Sequence, residues 1–207
     1  MINTFTIYGK LKGSKAMAIT YLENTLNDKE ASLLEVCKST SGISGKDLRN
    51  AHYQLGKKMG FELLNGPIKE VTNCCILIMM RAGLPFGTGI ADSLESAQKR
   101  IELHFIHNDT ICESIKSALV DKKIILVDAV VNSGNSIRRV LNQLSESEQS
   151  NTIIATTVVP IYIEKNCPDF PLFSIRKSEN KYKGGKVSTV KDGLGPDTGD
   201  RLFGTFY

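Results

Sequence analysis

The sequence predicts an α/β fold with a central parallel β-sheet flanked by helices. Residues 74–80 form a continuous apolar run, as expected for a strand buried on both faces, and further apolar runs occur at 123–128 and 152–163. Helical segments separate these runs, and this alternation is typical of parallel strands joined by right-handed crossovers. The chain has 207 residues, of which 41% are hydrophobic, enough for a domain with a buried core.

Two helices are predicted before the sheet. Asn27 and Glu30 have the spacing of a capping box, and Ser44 and Asp47 repeat that spacing before a longer segment. One apolar face recurs there at helical intervals: Leu48, Leu55, Met59 and Leu63. The tripeptide Asn65-Gly66-Pro67 predicts the end of the second helix.

The remaining elements follow in order along the chain. A glycine-rich loop and a helix over 86–99 are predicted after the first buried strand, and residues 101–107 alternate with the period of a strand. Another helix is predicted after residue 134. The last 25 residues are polar and glycine-rich, which favours an ordered cap or arm over a strand.

We therefore expect a single domain over residues 1–207. It would comprise an N-terminal helical segment (1–70), a core sheet (71–165) and a C-terminal arm (166–207).

Composition narrows the class of protein. The net charge of +4 suits an anionic small-molecule substrate or an ordinary surface with a slight lysine excess, and it is far weaker than nucleic-acid binding requires. The five cysteines contain no C-x-x-C pair or zinc-type spacing, which indicates a reducing compartment. No signal-peptide core or run of about 18 apolar residues is present. We expect a soluble, cytoplasmic protein that binds neither nucleic acid nor membrane.

The first candidate site feature follows the run 74–80. Arg81 stands where that strand ends, and Ala82 and Gly83 come next. A guanidinium there can grip phosphate oxygens, and a glycine beside it can expose backbone N–H groups. The alternative is that Arg81 is a surface residue or part of a structural ion pair.

The second feature begins with Asp128, which ends a buried strand and can accept hydrogen bonds from sugar hydroxyls. Ser133, Gly134, Asn135 and Ser136 then lead into a helix. Free N–H groups at a helix N-terminus and two serine hydroxyls suit a phosphate monoester. An Asp turn followed by a serine-capped helix explains the same residues without a ligand.

The third feature is the segment 192–205, DGLGPDTGDRLFGT. Its many glycines and aspartates predict an irregular backbone, which can bring main-chain groups against a planar ligand. A flexible tail is the alternative, but Leu194, Leu202 and Phe203 favour a segment that packs down. All three features are predicted to meet beyond the carboxyl ends of the strands, where α/β sheets bind ligands.

These segments resemble the uracil phosphoribosyltransferase family, within the type I phosphoribosyltransferase superfamily. RAGLPFGTGIADSLESA resembles the pyrophosphate loop and following helix, and IILVDAVVNSGNS resembles the phosphoribosyl-pyrophosphate loop. DGLGPDTGDRLFGT resembles the uracil-reading carboxyl end and is the most specific of the three. The similarity covers roughly residues 20–207. It implies a type I phosphoribosyltransferase-like fold whose C-terminal arm binds the base.

The resemblance implies transfer of 5-phosphoribose from phosphoribosyl pyrophosphate to N1 of uracil, giving UMP and pyrophosphate. Arg81 and Mg²⁺ would neutralise charge on the departing pyrophosphate, and Asp128 would hold the ribose hydroxyls. The Mg²⁺ would arrive with the substrate, with Asp197 as a candidate contact. A homodimer or a higher homo-oligomer is also implied.

The resemblance also implies two sets of binding residues. Those for phosphoribosyl pyrophosphate are Arg81, Ala82, Gly83, His107, Asp128, Ser133, Gly134, Asn135, Ser136 and Asp197. Those for uracil, largely through backbone atoms, are Val190, Gly193, Leu194, Gly195 and Asp197.

Three positions depart from the family pattern. Asn135 stands where the family has a second glycine, so we expect it to adopt the left-handed conformation that asparagine tolerates. Pro196 is an extra residue before Asp197, and its fixed φ is expected to move that carboxylate. His107 stands where the family has an arginine, and an ordinary histidine is mostly neutral at pH 7.

These departures leave three functions open. The leading one is an active uracil phosphoribosyltransferase of pyrimidine salvage. The second is a catalytically weakened relative that senses nucleotide or phosphoribosyl pyrophosphate, and the third is a phosphoribosyltransferase for another base.

Overall fold

The computed structural model describes residues 19–161, 170–179, 183–184 and 194–205. A six-stranded sheet comprises β1 (Ile19–Tyr21), β2 (Asn73–Met79), β3 (Arg100–Ile106), β4 (Lys123–Val130), β5 (Thr152–Pro160) and β6 (Leu172–Ser178). All neighbouring strands are parallel, in the order β1-β6-β5-β4-β2-β3. The predicted parallel α/β fold is confirmed.

Helices cover both faces of this sheet. They are α1 (Asp28–Cys37), α2 (Gly45–Leu64), α3 (Leu84–Ser96), α4 (Glu113–Ala118), α5 (Asn135–Leu141), α6 (Glu146–Ser150) and α7 (Thr198–Phe203). A short parallel pair, β7 (Lys183–Gly184) and β8 (Leu194–Gly195), lies outside the main sheet. None of the helices in the described part of the chain has the length and apolar composition that a bilayer crossing requires.

Side chains of the central strands alternate between two hydrophobic clusters. On one face Leu77 belongs to the same cluster as Ile137 of α5. On the other face Ile76 and Ile78 share a cluster with Phe86 of α3. This two-sided burial explains why β2 and β4 are continuous apolar runs in the sequence.

The leading helices begin in two different ways. The Asn27 side chain accepts a hydrogen bond from the Glu30 N–H, and the Glu30 carboxylate accepts one from the Asn27 N–H, both at 2.9 Å, which confirms the first capping box. Ser44 lies at the N-cap of α2, but its side chain makes no capping bond, so the second capping box is wrong. The helix there begins at Gly45 with a left-handed φ of 63°, a different entry from that of a capping box.

Most of the other element predictions are confirmed. The four residues predicted for the apolar face of α2 are fully buried, and α2 ends immediately before Asn65. The predicted helix over 86–99 and the strand over 101–107 correspond to α3 and β3 within three residues. The helix predicted after residue 134 is two helices, because Ser145 starts α6 with its own capping box.

The sheet also takes strands from outside residues 71–165. The strand β1 comes from the N-terminal segment and pairs with β6, which comes from the predicted C-terminal arm. Only three residues form β1, and Arg176 and Lys177 interrupt the apolar pattern of β6, so neither gave a strand signal. The short helix α4 was missed as well, because Ile115 is its only buried residue.

The helices α2 and α3 pack through two glycines. A Cβ at Gly56 would lie 2.2 Å from the carbonyl oxygen of Phe86, and a Cβ at Gly89 would lie 2.1 Å from the carbonyl oxygen of Tyr53. Main chain therefore packs directly on main chain. This contact holds the first turns of α3, and with them the Arg81 loop, against the rest of the fold.

The C-terminal helix α7 is fixed by Arg201, which is 5% exposed. Its guanidinium donates to the carbonyl oxygens of Cys37 (3.2 Å), Lys38 (3.0 Å) and Ile43 (2.8 Å), all between α1 and α2 or at the end of α1. Leu202 on the same helix is fully buried. For residues 196–205, the prediction that the tail packs down is confirmed.

Replacing Gly89 with alanine should destabilise the protein by about 3 kcal/mol, because the new methyl group meets backbone atoms that cannot turn aside. Thermal unfolding should show a loss of roughly 6–12 °C in Tm. The matched control is Gly66→Ala, where the added Cβ would lie 3.3 Å from the Glu62 carbonyl oxygen and the residue is exposed. A Gly89→Ala protein as stable as this control would contradict the packing described.

Replacing Arg201 with methionine should free α7 from the core, since buried carbonyl groups lose their donor. We expect a loss of about 3 kcal/mol in unfolding free energy. Hydrogen–deuterium exchange of residues 198–204 should rise by at least tenfold. Arg100→Met, at an exposed arginine of β3, serves as the control. Unchanged exchange in the Arg201 variant would show that other contacts hold the helix.

Candidate active site at the strand tips

The carboxyl ends of β2 and β4 and the start of α7 enclose a cleft of about 320 Å³. Because β2 and β4 are adjacent parallel strands, the loops that follow them are neighbours although nearly 50 residues separate them in sequence. Five of the residues chosen from the sequence line this cleft together: Arg81, Ala82, Asp128, Ser136 and Asp197. The predicted meeting of the three sequence features is therefore observed.

Arg81 connects the first loop to the tail. Its Nη1 donates to Oγ1 of Thr205 at 2.7 Å, and its Nη2 lies 3.1 Å from Oδ1 of Asp200. The Thr205 hydroxyl donates to the same carboxylate oxygen at 2.7 Å. The Arg81 side chain is nevertheless 47% exposed and faces the cleft. It thus forms a structural ion pair and still offers N–H groups to an anion.

Gly83 has a different role from the one expected. Its backbone N–H donates to the Met79 carbonyl oxygen at 3.1 Å, so this group is not exposed for phosphate. A Cβ at Gly83 would lie 2.8 Å from that oxygen and 3.0 Å from the Val127 carbonyl oxygen. The glycine is needed because the loop crosses close to the ends of both strands. The preceding peptide bond between Met80 and Arg81 is cis.

Asp128 lies half-buried at the end of β4. Burial raises the pKa of its carboxyl group to about 7, while backbone N–H groups of Ala129 and Val130 oppose that rise and the Asp109 carboxylate adds to it. A carboxyl group with this pKa is only partly ionised at neutral pH. A cation or several hydroxyl donors entering the cleft would favour its charged form.

The loop before α5 turns at Gly134 rather than at Asn135. Gly134 has the left-handed φ of 72°, and Asn135 is the first helical residue, so the expectation of a left-handed asparagine is wrong. The Asn135 N–H donates to Oγ of Ser133 at 3.3 Å. Arg138 donates to the Ser133 carbonyl oxygen at 3.1 Å and to the Asn135 side chain at 3.2 Å. An asparagine therefore fits here without backbone strain.

Asp109 lines the cleft, although it was not chosen from the sequence. Nε of Arg139 donates to its carboxylate at 2.8 Å, and Nη2 of Arg139 also contacts the same oxygen. Asn108 and Asp109 both have positive φ, of 51° and 55°. The Asn108-Asp109 pair after a predicted strand could have indicated a turn at the cleft, because asparagine and aspartate adopt left-handed conformations most readily.

His107 belongs to the same turn but is exposed, and its backbone carbonyl accepts a hydrogen bond from the Thr110 N–H at 3.1 Å. Within this turn, Asp109 takes the position in the cleft that was expected of His107.

The tail brings Asp197 to the cleft despite the inserted Pro196. Asp197 is the N-cap of α7, and its carboxylate accepts a hydrogen bond from the Asp200 N–H at 2.7 Å. Leu194 and Gly195 form β8, which pairs with β7. The other two predicted uracil contacts, Val190 and Gly193, lie outside the described residues.

A second cavity of about 60 Å³ adjoins the cleft. Val130, Asn132 and Thr198 line both spaces, so the two are neighbours. The cavity is also lined by α2, which contributes His52, and by the ends of β5 and β6. Burial and the positive charge of Arg201 lower the pKa of His52 to about 4. Sequence analysis missed this histidine because it lies within the apolar face of a helix.

The family model for uracil phosphoribosyltransferase matches residues 46–205. The chain is 28% identical, over 180 aligned positions, to a uracil phosphoribosyltransferase of Methanococcus vannielii, with 73% of each chain covered. It is 26% identical to a uracil phosphoribosyltransferase of Methanococcus maripaludis, with 90% of this chain and 87% of the relative covered.

Among solved structures, the AQ2163 protein from Aquifex aeolicus has the same fold, with a TM-score of 0.61 at 15% identity. The match covers 91% of this chain and 99% of that one. The strand-tip cleft, the tail packed beside it and the family match over most of the sequence lead to one assignment. The chain belongs to the uracil phosphoribosyltransferase family.

Proposed function

We propose that this phosphoribosyltransferase uses uracil as its base, forming UMP and pyrophosphate from uracil and phosphoribosyl pyrophosphate. The observation that carries the proposal is that a polar cleft and a smaller cavity lie side by side at the strand tips. The cleft has a guanidinium and carboxyl groups for a phosphorylated sugar. The cavity beside it is small, which favours a single planar ring over a larger group.

Charge development in the reaction suits the groups that line the cleft. As pyrophosphate leaves, negative charge accumulates on it while the sugar gains oxocarbenium character. The exposed N–H groups of Arg81 would stabilise the departing pyrophosphate, an electrostatic contribution that commonly dominates such catalysis. The carboxylate of Asp128 would accept hydrogen bonds from the ribose hydroxyls, and the hydroxyls of Ser133 and Ser136 would hold the 5′-phosphate.

The cleft also suits a Mg²⁺ ion that is bound mainly by the substrate. Asp128 and Asp197 supply oxygen ligands of the kind Mg²⁺ prefers. When bound, the ion would offset the charge of the pyrophosphate.

Cavity size favours a pyrimidine over a purine. The cavity is much smaller than the cleft, at about 60 Å³ against about 320 Å³, so a single ring requires less movement of its walls than a fused double ring. Size therefore favours uracil over the purine bases but does not separate it from other pyrimidines.

A sensor role is the second candidate, and the ion pairs in the cleft favour it. Arg81 is already bound to Asp200, and Arg139 to Asp109, so phosphate groups would have to compete for both guanidinium groups.

The decisive experiment incubates the protein with radiolabelled uracil, phosphoribosyl pyrophosphate and Mg²⁺. We expect labelled UMP, and none when phosphoribosyl pyrophosphate is omitted. Parallel reactions with cytosine and hypoxanthine test the choice of base. Binding of phosphoribosyl pyrophosphate without turnover of any base would favour the sensor. Turnover of another base with uracil inert would contradict the assignment of uracil.

Replacing Arg81 with alanine should lower kcat for UMP formation by about 10²- to 10³-fold, because the charge on the departing group loses its stabilisation. The matched control is Asp200→Asn, which weakens the same ion pair but leaves the guanidinium in place. We expect this control to keep at least a tenth of the activity, as measured by initial rates at saturating substrate. Equal losses in both variants would mean that Arg81 acts only by holding the tail.

Replacing Asp128 with asparagine should stabilise the protein increasingly as pH rises while abolishing most activity. The unfolded chain releases the Asp128 proton near pH 4 and the folded protein near pH 7, so the contribution of Asp128 to native stability falls between these values. The gain in unfolding free energy should be about 2 kcal/mol larger at pH 8 than at pH 5. Urea titrations without Mg²⁺ measure this gain in unfolding free energy. The control is Asp121→Asn, at an exposed position with a φ of 57°. A pH-independent gain would contradict the raised pKa.

A further inference from the structure

His52 is a buried polar residue with no partner in the described part of the chain. Its side chain is 1% exposed, and neither Nδ1 nor Nε2 has a hydrogen-bond partner there. Leaving buried polar atoms unpaired costs about 1–3 kcal/mol, a cost that a leucine at this position would not have. The position lies on the same buried face as Leu48 and Leu55, where an apolar residue would pack well. A ligand that hydrogen-bonds to the imidazole would account for a histidine at this position.

The surroundings of His52 indicate where such a ligand would bind. His52 lines the 60 Å³ cavity together with Thr157 and Pro160 of β5 and Pro196 of the tail. The cavity lies beside the cleft that contains Arg81 and Asp128, because the two share lining residues. A ligand that fills both spaces would place its phosphorylated end at the strand tips and its other end against His52.

The imidazole in this cavity has a defined hydrogen-bonding character. With its pKa lowered to about 4, it is neutral at physiological pH. A neutral imidazole has one N–H donor and one acceptor nitrogen. Its N–H group can donate to a carbonyl oxygen of a planar ring, and an uncharged ligand group suits an uncharged imidazole in a buried position.

We propose that His52 is a specificity-determining residue that contacts the base, donating a hydrogen bond to a ring carbonyl oxygen from the helical wall of the cavity. This inference rests on the proposed function, which supplies the base. The tail is expected to contact the base through backbone atoms, and His52 of α2 would add a side-chain contact. The role of His52 is binding and discrimination, and no proton transfer is involved.

The test compares two probes, UMP and ribose 5-phosphate, which share the phosphorylated sugar; a hydroxyl group replaces uracil in the second. Isothermal titration calorimetry would give Kd for both with the wild type, His52→Leu and His52→Gln. We expect His52→Leu to raise Kd for UMP about tenfold and to leave Kd for ribose 5-phosphate within twofold, because only the base contact is lost. The Kd of His52→Gln for UMP should lie between those of the wild type and His52→Leu, because glutamine keeps a donor and an acceptor. In turnover assays, KM for uracil should rise while kcat changes little.

Folding is not expected to obscure the result, because His52→Leu removes two unpaired polar atoms and should melt no lower than the wild type. The control Gln54→Leu makes the same kind of change two residues away on α2 and should bind both probes normally.

The inference is overturned if His52→Leu leaves UMP binding unchanged, or weakens both probes equally. These outcomes are separable from the fate of the proposed function. A wild type that forms no UMP, but whose UMP binding depends on His52, would refute the catalytic proposal and keep this one.

Discussion

The buried guanidinium of Arg201 is the interaction on which the arrangement of the site depends. It bonds the C-terminal helix to the carbonyl oxygens that end α1 and precede α2, so α7 is fixed at the junction between these two helices. A buried cation is tolerated only where its donors find acceptors, and alternative placements of the helix would leave it unsatisfied. Arg49 strengthens the same junction by donating to the Leu202 carbonyl oxygen at 2.6 Å. Asp197 and Asp200 lie on the first turn of that helix and take their positions from it.

The fixed tail contributes one of the charged groups that determine the electrostatics of the cleft. Three carboxyl groups, those of Asp109, Asp128 and Asp197, line it together with the guanidinium of Arg81. Carboxylates oppose the approach of an anion, and the Arg81 guanidinium offsets part of their charge. Arg81 and Arg139 each form an ion pair with an aspartate, which fixes the positions of these polar side chains.

Much of this organisation could be predicted from the sequence, because continuous apolar runs and strand-end residues carry strong signals. The strands β2 and β4 and the convergence of Arg81, Asp128 and Asp197 are observed as expected. The turn at Gly134 and the bonded N–H of Gly83 could not be predicted, since both depend on how the loop backbones pack. His52 could not be predicted as a site residue, because it recurs at helical intervals with the apolar residues of the buried face of α2. The homodimer, the cytoplasmic location and the contacts of Val190 and Gly193 stay predictions.

The shifted pKa values of His52 and Asp128 have a joint consequence for acid tolerance. Between about pH 4 and pH 6.5 an unfolded chain carries a proton on His52 and none on Asp128, whereas the native protein carries one on Asp128 and none on His52. Folding therefore relocates a proton without taking one from solvent or releasing one. Since the slope of stability against pH depends only on the difference in bound protons, these two sites cancel over that interval. A buried acid and a buried base can thus both have strongly shifted pKa values and together add no net pH dependence to stability under mild acidification.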